Sequence, residues 1–198
     1  MNDNTREQKN ALRAEYKRLR SDMSDLIRNE RDKKICSAIT ALASYRFAHT
    51  VLMYAPTGNE IDVSAVALHA ISAGKRIAYP VCNVGEHTMK FKLIEHPSEL
   101  VSGSYSIPEP TEDAPALSDL SGTICLVPGL VFDANGYRVG YGKGYYDRFL
   151  SGYSQTKLGI VYADFILDRV PRGRFDRHVD ILVTERGIKL AASEKKSR

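Results

Sequence analysis

Between residues 128 and 148 the chain carries its densest set of groups suited to chemistry. Pro128-Gly129-Leu130-Val131-Phe132-Asp133 is followed by Arg138-Val139-Gly140-Tyr141-Gly142-Lys143-Gly144-Tyr145-Tyr146-Asp147-Arg148. Glycines at alternate positions 140, 142 and 144 let the backbone enter left-handed conformations and approach a bound group closely. Successive amides in such a loop converge on an anion, and Lys143 adds a full positive charge beside them. Asp147 follows where a magnesium ion on a phosphate takes a carboxylate. The glycines alone leave two readings open, a nucleotide phosphate site or a tight turn between strand and helix. The loop is not a P-loop, because no Ser or Thr follows Lys143, and it lacks the spacing of the dinucleotide fingerprint.

Other charged residues are harder to place. Lys9 and Arg13 are four apart and project from one face of a helix, where two cations repel unless an anion lies between them. With Lys17, Arg18 and Arg20 nearby, spacing alone favours a solvated basic face. Glu60 follows Gly58-Asn59 just after a strand, as a site residue, a solvated loop residue or an aid to capping. Asp176 and Asp180 flank the entry to a late strand, and Asp176 is placed to share a cation with Asp147 if the sheet ends bring them together. The five histidines show no ligand spacing.

The elements that must position these groups follow from apolar periodicity. Leu12, Tyr16, Leu19 and Met23 mark a first helix, with Thr5 and Gln8 spaced for a capping box at its start. Ser24 caps a second, striped by Ile35, Ile39 and Leu42. Val51–Tyr54 is a strand, Asp62 to Ala73 a helix stopped by Gly74, and Arg76–Val81 a parallel strand joined by that crossover. Met89–Ile94 reads as a more exposed strand. Residues 97–122 read as a long surface connection bordering a site, extended at Ile107-Pro108-Glu109-Pro110. Thr123–Val127 is a buried central strand that delivers Pro128-Gly129 into the glycine loop at its carboxyl end, where ligands of open α/β sheets sit. A helix from Tyr145 to Leu150 and strands at Leu158–Tyr162 and Ile181–Val183, the last, complete the chain.

Composition sets the outer bounds. With 198 residues, 43% hydrophobic and 26% charged, the chain suits one soluble globular domain over 1–198, frayed over about 1–5 and 190–198. No apolar run reaches membrane-spanning length and the N-terminus lacks a signal-peptide segment, so a cytoplasmic location with no membrane partner is expected. A net charge of +4 suits an anionic ligand but is too mild to imply nucleic acid. Three dispersed cysteines make neither a disulfide framework nor a zinc site, and Cys125 reads as a small core hydrophobe.

Taken together, Pro128–Asp133, the glycine loop through Asp147-Arg148, and Lys9-x-x-Leu12-Arg13 resemble the 5-formyltetrahydrofolate cyclo-ligase family. Gly58-x-Glu60, Ala73-Gly74-Lys75-Arg76, Ile107–Pro110 and Val183-Thr184-Glu185 extend the resemblance over about residues 6–187. It implies ATP- and magnesium-dependent closure of 5-formyltetrahydrofolate to 5,10-methenyltetrahydrofolate, with ADP and phosphate released through a phosphorylated formyl group. It also implies an α/β domain with a mostly parallel, partly mixed sheet, helices on both faces, and a topology like the ribose-phosphate isomerase and glucosamine-phosphate deaminase group. By position, Lys9, Arg13, Arg138, Val139, Gly140, Tyr141, Gly142, Lys143, Gly144, Tyr145 and Tyr146 would hold ATP. Lys143, Arg138 and Tyr145 would act on the transferred group, Glu60, Tyr145 and Tyr146 would meet the folate, and Asp147 and Asp176 would ligate magnesium. Phe175 stands before Asp176 where the family often has histidine, and Tyr141 where some members carry arginine. The implied partner is the folate alone, with or without a polyglutamate tail, and the implied state is a monomer or weak dimer.

Two rivals stand beside this reading. A sugar-phosphate isomerase or deaminase on a similar sheet needs no ATP and leaves Lys9, Arg13 and Asp147 without a shared purpose. A non-catalytic relative that binds nucleotide, folate or RNA would be favoured if Lys143 or the carboxylates were missing, and they are present.

Overall fold

The computed structural model describes residues 3–192, and its centre is a sheet of seven strands in the order β12-β11-β9-β6-β1-β2-β3. The chain begins with helices α1 (Asp3–Ser21), α2 (Asp25–Ala41) and α3 (Ala43–Phe47), then enters β1 (Thr50–Leu52). Helix α4 (Ser64–Ser72) leads to β2 (Arg76–Asn83) and β3 (Thr88–Ile94). The two-residue strands β4 (Val101–Ser102) and β5 (Pro108–Glu109) precede β6 (Thr123–Pro128), β7 (Val131–Asp133) and β8 (Arg138–Val139). Helix α5 (Tyr145–Ser151), β9 (Thr156–Ile160), β10 (Ile166–Leu167), β11 (Ile181–Thr184) and β12 (Gly187–Leu190) complete it.

Five strands, β11, β9, β6, β1 and β2, run parallel, and antiparallel β12 and β3 close the two edges. Parallel strands are covered on both faces and therefore read as unbroken apolar runs. Val51, Leu52, Ile124, Cys125, Leu126 and Val127 accordingly have no exposed surface. Strand register assigns the faces. Pro80 and Cys82 of β2 lie opposite Phe91 and Met89 of β3, and α5 packs Phe149 against Phe91 with ring centroids 4.9 Å apart. Ile77 and Tyr79, which alternate with Pro80 and Cys82, point to the opposite face, where Val66, Ala67 and Ala70 of α4 are buried beside α2.

Local chemistry accounts for most element ends. The Ser24 hydroxyl accepts from the Ile27 amide at the start of α2. Asp62 accepts from the Ser64 amide, but the α4 helix begins at Ser64 rather than at Asp62, so Asp62 holds the entry from outside. Gly74 turns the chain with φ +71 directly after that helix. Asp133 is fully buried and accepts from the amides of Asn135, Tyr137 and Val170, which folds the turn between β7 and β8 around one carboxylate.

Several expectations need correction. α1 begins at Asp3, so Thr5 lies inside it and not at its N-cap. A third short helix, α3, follows α2, and β12 comes after the strand expected to be last. β7, β8 and β10 form a separate three-stranded sheet, and the long connection contains the β4–β5 ladder. Of the ends expected to fray, residues 3–5 are helical, and the amides of Ala191 and Ala192 donate to Asp180 and Ala134. Residues 1–2 and 193–198 of those ends lie outside the described residues. Among the described residues no helix is long and apolar enough to cross a membrane.

Candidate active site

A cavity of about 870 Å³ opens at the carboxyl ends of β1, β2 and β6. Every residue named from the sequence as a site candidate lines it, from Lys9 and Arg13 through Glu60 and the glycine loop to Asp147 and Asp176. Four separate parts of the chain, α1, the loop after β1, the glycine loop with the start of α5, and the segment at Asp176, therefore share one space.

The loop is shaped by two of its glycines. Gly142 and Gly144 take φ of +96 and +75, conformations that side chains rarely adopt, and Gly144 starts α5. A Cβ at Gly142 would stand 3.0 Å from the Arg13 guanidinium, so the absence of a side chain also makes room for α1. Arg13 Nε donates to the Gly140 carbonyl at 2.8 Å, and Arg148 Nη1 donates to the carbonyls of Lys143 and His87, each at 3.1 Å. These bonds tie the loop to α1 on one side and to the β2–β3 turn on the other. Lys143 projects its ammonium 5.0 Å from the centre of the Tyr105 ring.

The acidic and basic groups are interlocked. Lys9 is 5% exposed and donates to Asp176 Oδ2 at 2.5 Å, an oxygen that also accepts from the Gly173 amide at 2.8 Å. Arg138 is 7% exposed and donates through Nη2 to Asp147 Oδ1 at 3.0 Å and through Nη1 to the Arg177 carbonyl at 2.8 Å. The Arg177 amide donates to the same Asp147 oxygen at 3.0 Å. Burial lowers the Arg13 guanidinium from its ordinary range, and the nearby Asp176 charge partly offsets that.

Among the described residues no group of three His, Cys, Asp or Glu is placed to hold a metal by itself. The donor set nevertheless suits magnesium, which keeps water and phosphate oxygens in its shell and asks the protein for one or two carboxylates. Asp147 accepts from Arg138 and the Arg177 amide on Oδ1, and Asp176 from Lys9 and the Gly173 amide on Oδ2, so each carboxylate is held through one named oxygen.

Glu60, in the loop after β1, lines the same cavity. Thr57 donates to its Oε2 through the backbone amide at 2.9 Å and the hydroxyl at 3.0 Å. Burial pushes its carboxyl above the usual range, against the Thr57 bonds and the Arg20 charge that favour the ionised form. Tyr145 and Tyr146 open α5 beside it. The Tyr145 hydroxyl lies 3.3 Å from that of Tyr105, and this bond, then burial, holds its pKa above the ordinary phenol value. Burial raises Tyr146 well above it, and among the described residues its hydroxyl has no hydrogen-bond partner.

Sequence reasoning passed over several lining residues. Tyr105 enters from the long connection with φ +57, and Glu109 of the same segment is buried and accepts from the Cys82 amide at 3.2 Å. The only signal for them was that a connection of this length borders a site. Arg20, read as part of a solvated face, is 3% exposed and donates to the Gly129 carbonyl at 2.5 Å.

Comparison with known proteins follows the same outline. A model of the "5-formyltetrahydrofolate cyclo-ligase family" matches residues 5–185. The "Probable 5-formyltetrahydrofolate cyclo-ligase" of Schizosaccharomyces pombe is 28% identical, across 89% of this chain and 94% of its own length. The 5-formyltetrahydrofolate cyclo-ligase of Escherichia coli K12 is 32% identical over 69% of this chain and 78% of the relative. The solved structure of Aquifex aeolicus 5,10-methenyltetrahydrofolate synthetase superposes with a TM-score of 0.81 at 28% identity, covering 96% of both chains.

Proposed function

The chain belongs to the 5-formyltetrahydrofolate cyclo-ligase family and is a cyclo-ligase that forms 5,10-methenyltetrahydrofolate, and we propose that the cavity residues above carry out each part of that reaction. The family implies ATP as co-substrate. One observation supports the assignment most directly: α1, the glycine loop, the two carboxylates and Glu60 line a single cavity at the sheet's carboxyl end.

In this reading the formamide oxygen of the substrate attacks the γ-phosphorus of ATP, the bond to the β–γ bridging oxygen breaks, and ADP leaves. The phosphorylated formyl group is then open to attack by N10 at the formyl carbon. N10 loses its proton, the carbon–oxygen bond breaks, and inorganic phosphate departs as the new ring becomes a methenyl cation.

The protein's part is positioning and charge neutralisation. Lys9, Arg13 and the amides of the glycine loop hold the triphosphate, with the Lys143 ammonium at the transferred group and Arg138 beside it. Asp147 and Asp176 hold magnesium, which neutralises charge on the phosphate oxygens when bound. Glu60 accepts from the N–H donors of the pterin, and Tyr145 and Tyr146 wall the folate against α5. The sugar-phosphate alternative gives this combination no shared task.

The test is direct. Purified protein with 5-formyltetrahydrofolate, ATP and magnesium is followed by the absorbance of the methenyl product. Product that requires both ATP and magnesium supports the scheme; product formed equally without ATP rules out the phosphorylated intermediate.

A further inference from the structure

The large cavity runs along one end of the sheet. Its lining passes from Glu60 after β1, through Pro80 of β2 and Met89 of β3, to Arg148 of α5. β1, β2 and β3 are neighbours, so two strand spacings, about 10 Å, separate the first from the third. α5 continues the wall beyond them, because its Phe149 packs on Phe91 of β3. Pro80 and Met89 make the middle of this path apolar.

Arg148 stands at the end of the path as a fixed cation. It is exposed, and its Nη1 donates to the carbonyls of His87 and Lys143, each at 3.1 Å. A Cβ on Gly144 would stand 3.0 Å from the same nitrogen, so the glycine makes room for the guanidinium. Both bonded carbonyls are neutral, and among the described residues Arg148 pairs with no carboxylate. Lys9 and Arg138, by contrast, are neutralised by Asp176 and Asp147. Arg148 also lies on the opposite side of the loop from a phosphate held by the Gly144 amide. The Lys143–Gly144 peptide is trans and planar, so its N–H points away from the carbonyl that Arg148 holds.

We propose that Arg148 binds the glutamate carboxylates of the folate substrate. A folate is elongated, with the pterin at one end, an aminobenzoyl ring in the middle and a glutamate at the other. With the pterin at Glu60, the ring crosses Pro80 and Met89, and the anionic end arrives at Arg148. A guanidinium presents paired N–H donors that match a carboxylate. The inference rests on the reading of Glu60 as the pterin contact. It gives the glycine loop two working sides, one turned to ATP and the other holding the cation that meets the second substrate.

The test compares 5-formyltetrahydrofolate with 5-formyltetrahydropteroate, which has the same pterin and aminobenzoyl ring but no glutamate. The parent enzyme should favour the folate in kcat/KM by about fivefold, the scale of an exposed ion pair. That preference should shrink at high salt. Arg148→Gln, which keeps a donor for the two carbonyls, should bring the ratio close to one by weakening the folate alone. Arg148→Lys keeps the charge and should retain part of the preference. A parent ratio near one overturns the inference. So does an Arg148→Gln enzyme that weakens both substrates equally, the mark of a loop clamp only, or one that raises the ATP KM with the ratio intact. Glu60→Gln should weaken both substrates alike. If it weakens neither, the pterin placement fails, and the Arg148 ratio decides the glutamate site by itself.

Discussion

Lys9 Nζ and Asp176 Oδ2 stand 2.5 Å apart although 167 residues separate them, and both are largely withdrawn from water. A cation proposed for triphosphate and a carboxylate proposed for magnesium thus neutralise each other before either ligand arrives. Arg138 and Asp147 repeat the arrangement on the other side of the loop. Without such pairing, a buried charge carries a large desolvation cost. The same cations and carboxylates are then available to an anion and a metal that enter together.

Removing Lys9 tests that exchange. Lys9→Met should raise the ATP KM by about one to two orders of magnitude, the loss of a charge-assisted contact, measured by ATP titration at saturating folate. It also frees Asp176, so calorimetric titration of magnesium without nucleotide should show tighter binding than in the parent. Weaker magnesium binding would mean that Asp176 does not compete between Lys9 and the metal.

Asp147→Asn removes the charge paired with Arg138 while keeping most of the shape. The magnesium concentration for half-maximal rate should rise several-fold. A superimposable magnesium titration would take Asp147 out of the metal site.

Lys143 lies over the Tyr105 ring, and among the described residues it pairs with no carboxylate. Lys143→Ala should lower kcat by about two orders of magnitude, the scale of losing one preorganised donor at the reacting group, with folate affinity little changed. Near-normal turnover would remove Lys143 from phosphoryl transfer.

Glu60 predicts a pH dependence whose sign follows from burial. Its folded-state pKa is raised, so ionising it costs folding stability above the ordinary glutamate value, and that cost disappears as pH falls through the raised pKa. Folate binding runs the other way, because the protonated carboxyl no longer accepts two N–H donors. The folate KM should therefore climb on acidification, starting above the ordinary value of 4.5, and Glu60→Gln should flatten the profile. A parent profile without an acid limb above 4.5 would contradict it.

Gly129 predicts a stability effect. A Cβ there would stand 2.5 Å from Cε2 of the Phe132 ring, which is fully buried and cannot swing into solvent. Gly129→Ala should cost about 1–3 kcal/mol by overpacking, read as a lower urea midpoint. An unchanged midpoint would show that the turn at Gly129 yields without strain.

Local patterns determined a good deal by themselves. The apolar runs at 51–54, 76–81, 123–127 and 158–162 identify parallel strands because burial on both faces leaves no polar alternation. The glycine loop is legible because only glycine tolerates the φ of positions 142 and 144, and a lysine and an aspartate at fixed offsets narrow its use. What escaped was short or lacked a period. α3 has five residues, too few for a helical stripe, and β12 is exposed at all four positions, so nothing alternates. β4, β5, β8 and β10 have two residues each, and pairing is all that makes them strands.

The site divides along the same line. Residue types and spacing within one segment marked the glycine loop, Lys143 and Asp147 as a candidate phosphate and metal site, because that chemistry is carried locally, whereas the roles of Lys9, Arg13 and Glu60 came only with the family resemblance. Only the tertiary structure decided that Lys9 meets Asp176, that Tyr105 leaves a surface connection to line the cavity, and that Arg20 is buried and held by the Gly129 carbonyl. Each of those contacts joins segments far apart in the chain, and no local periodicity records a distance that packing alone creates.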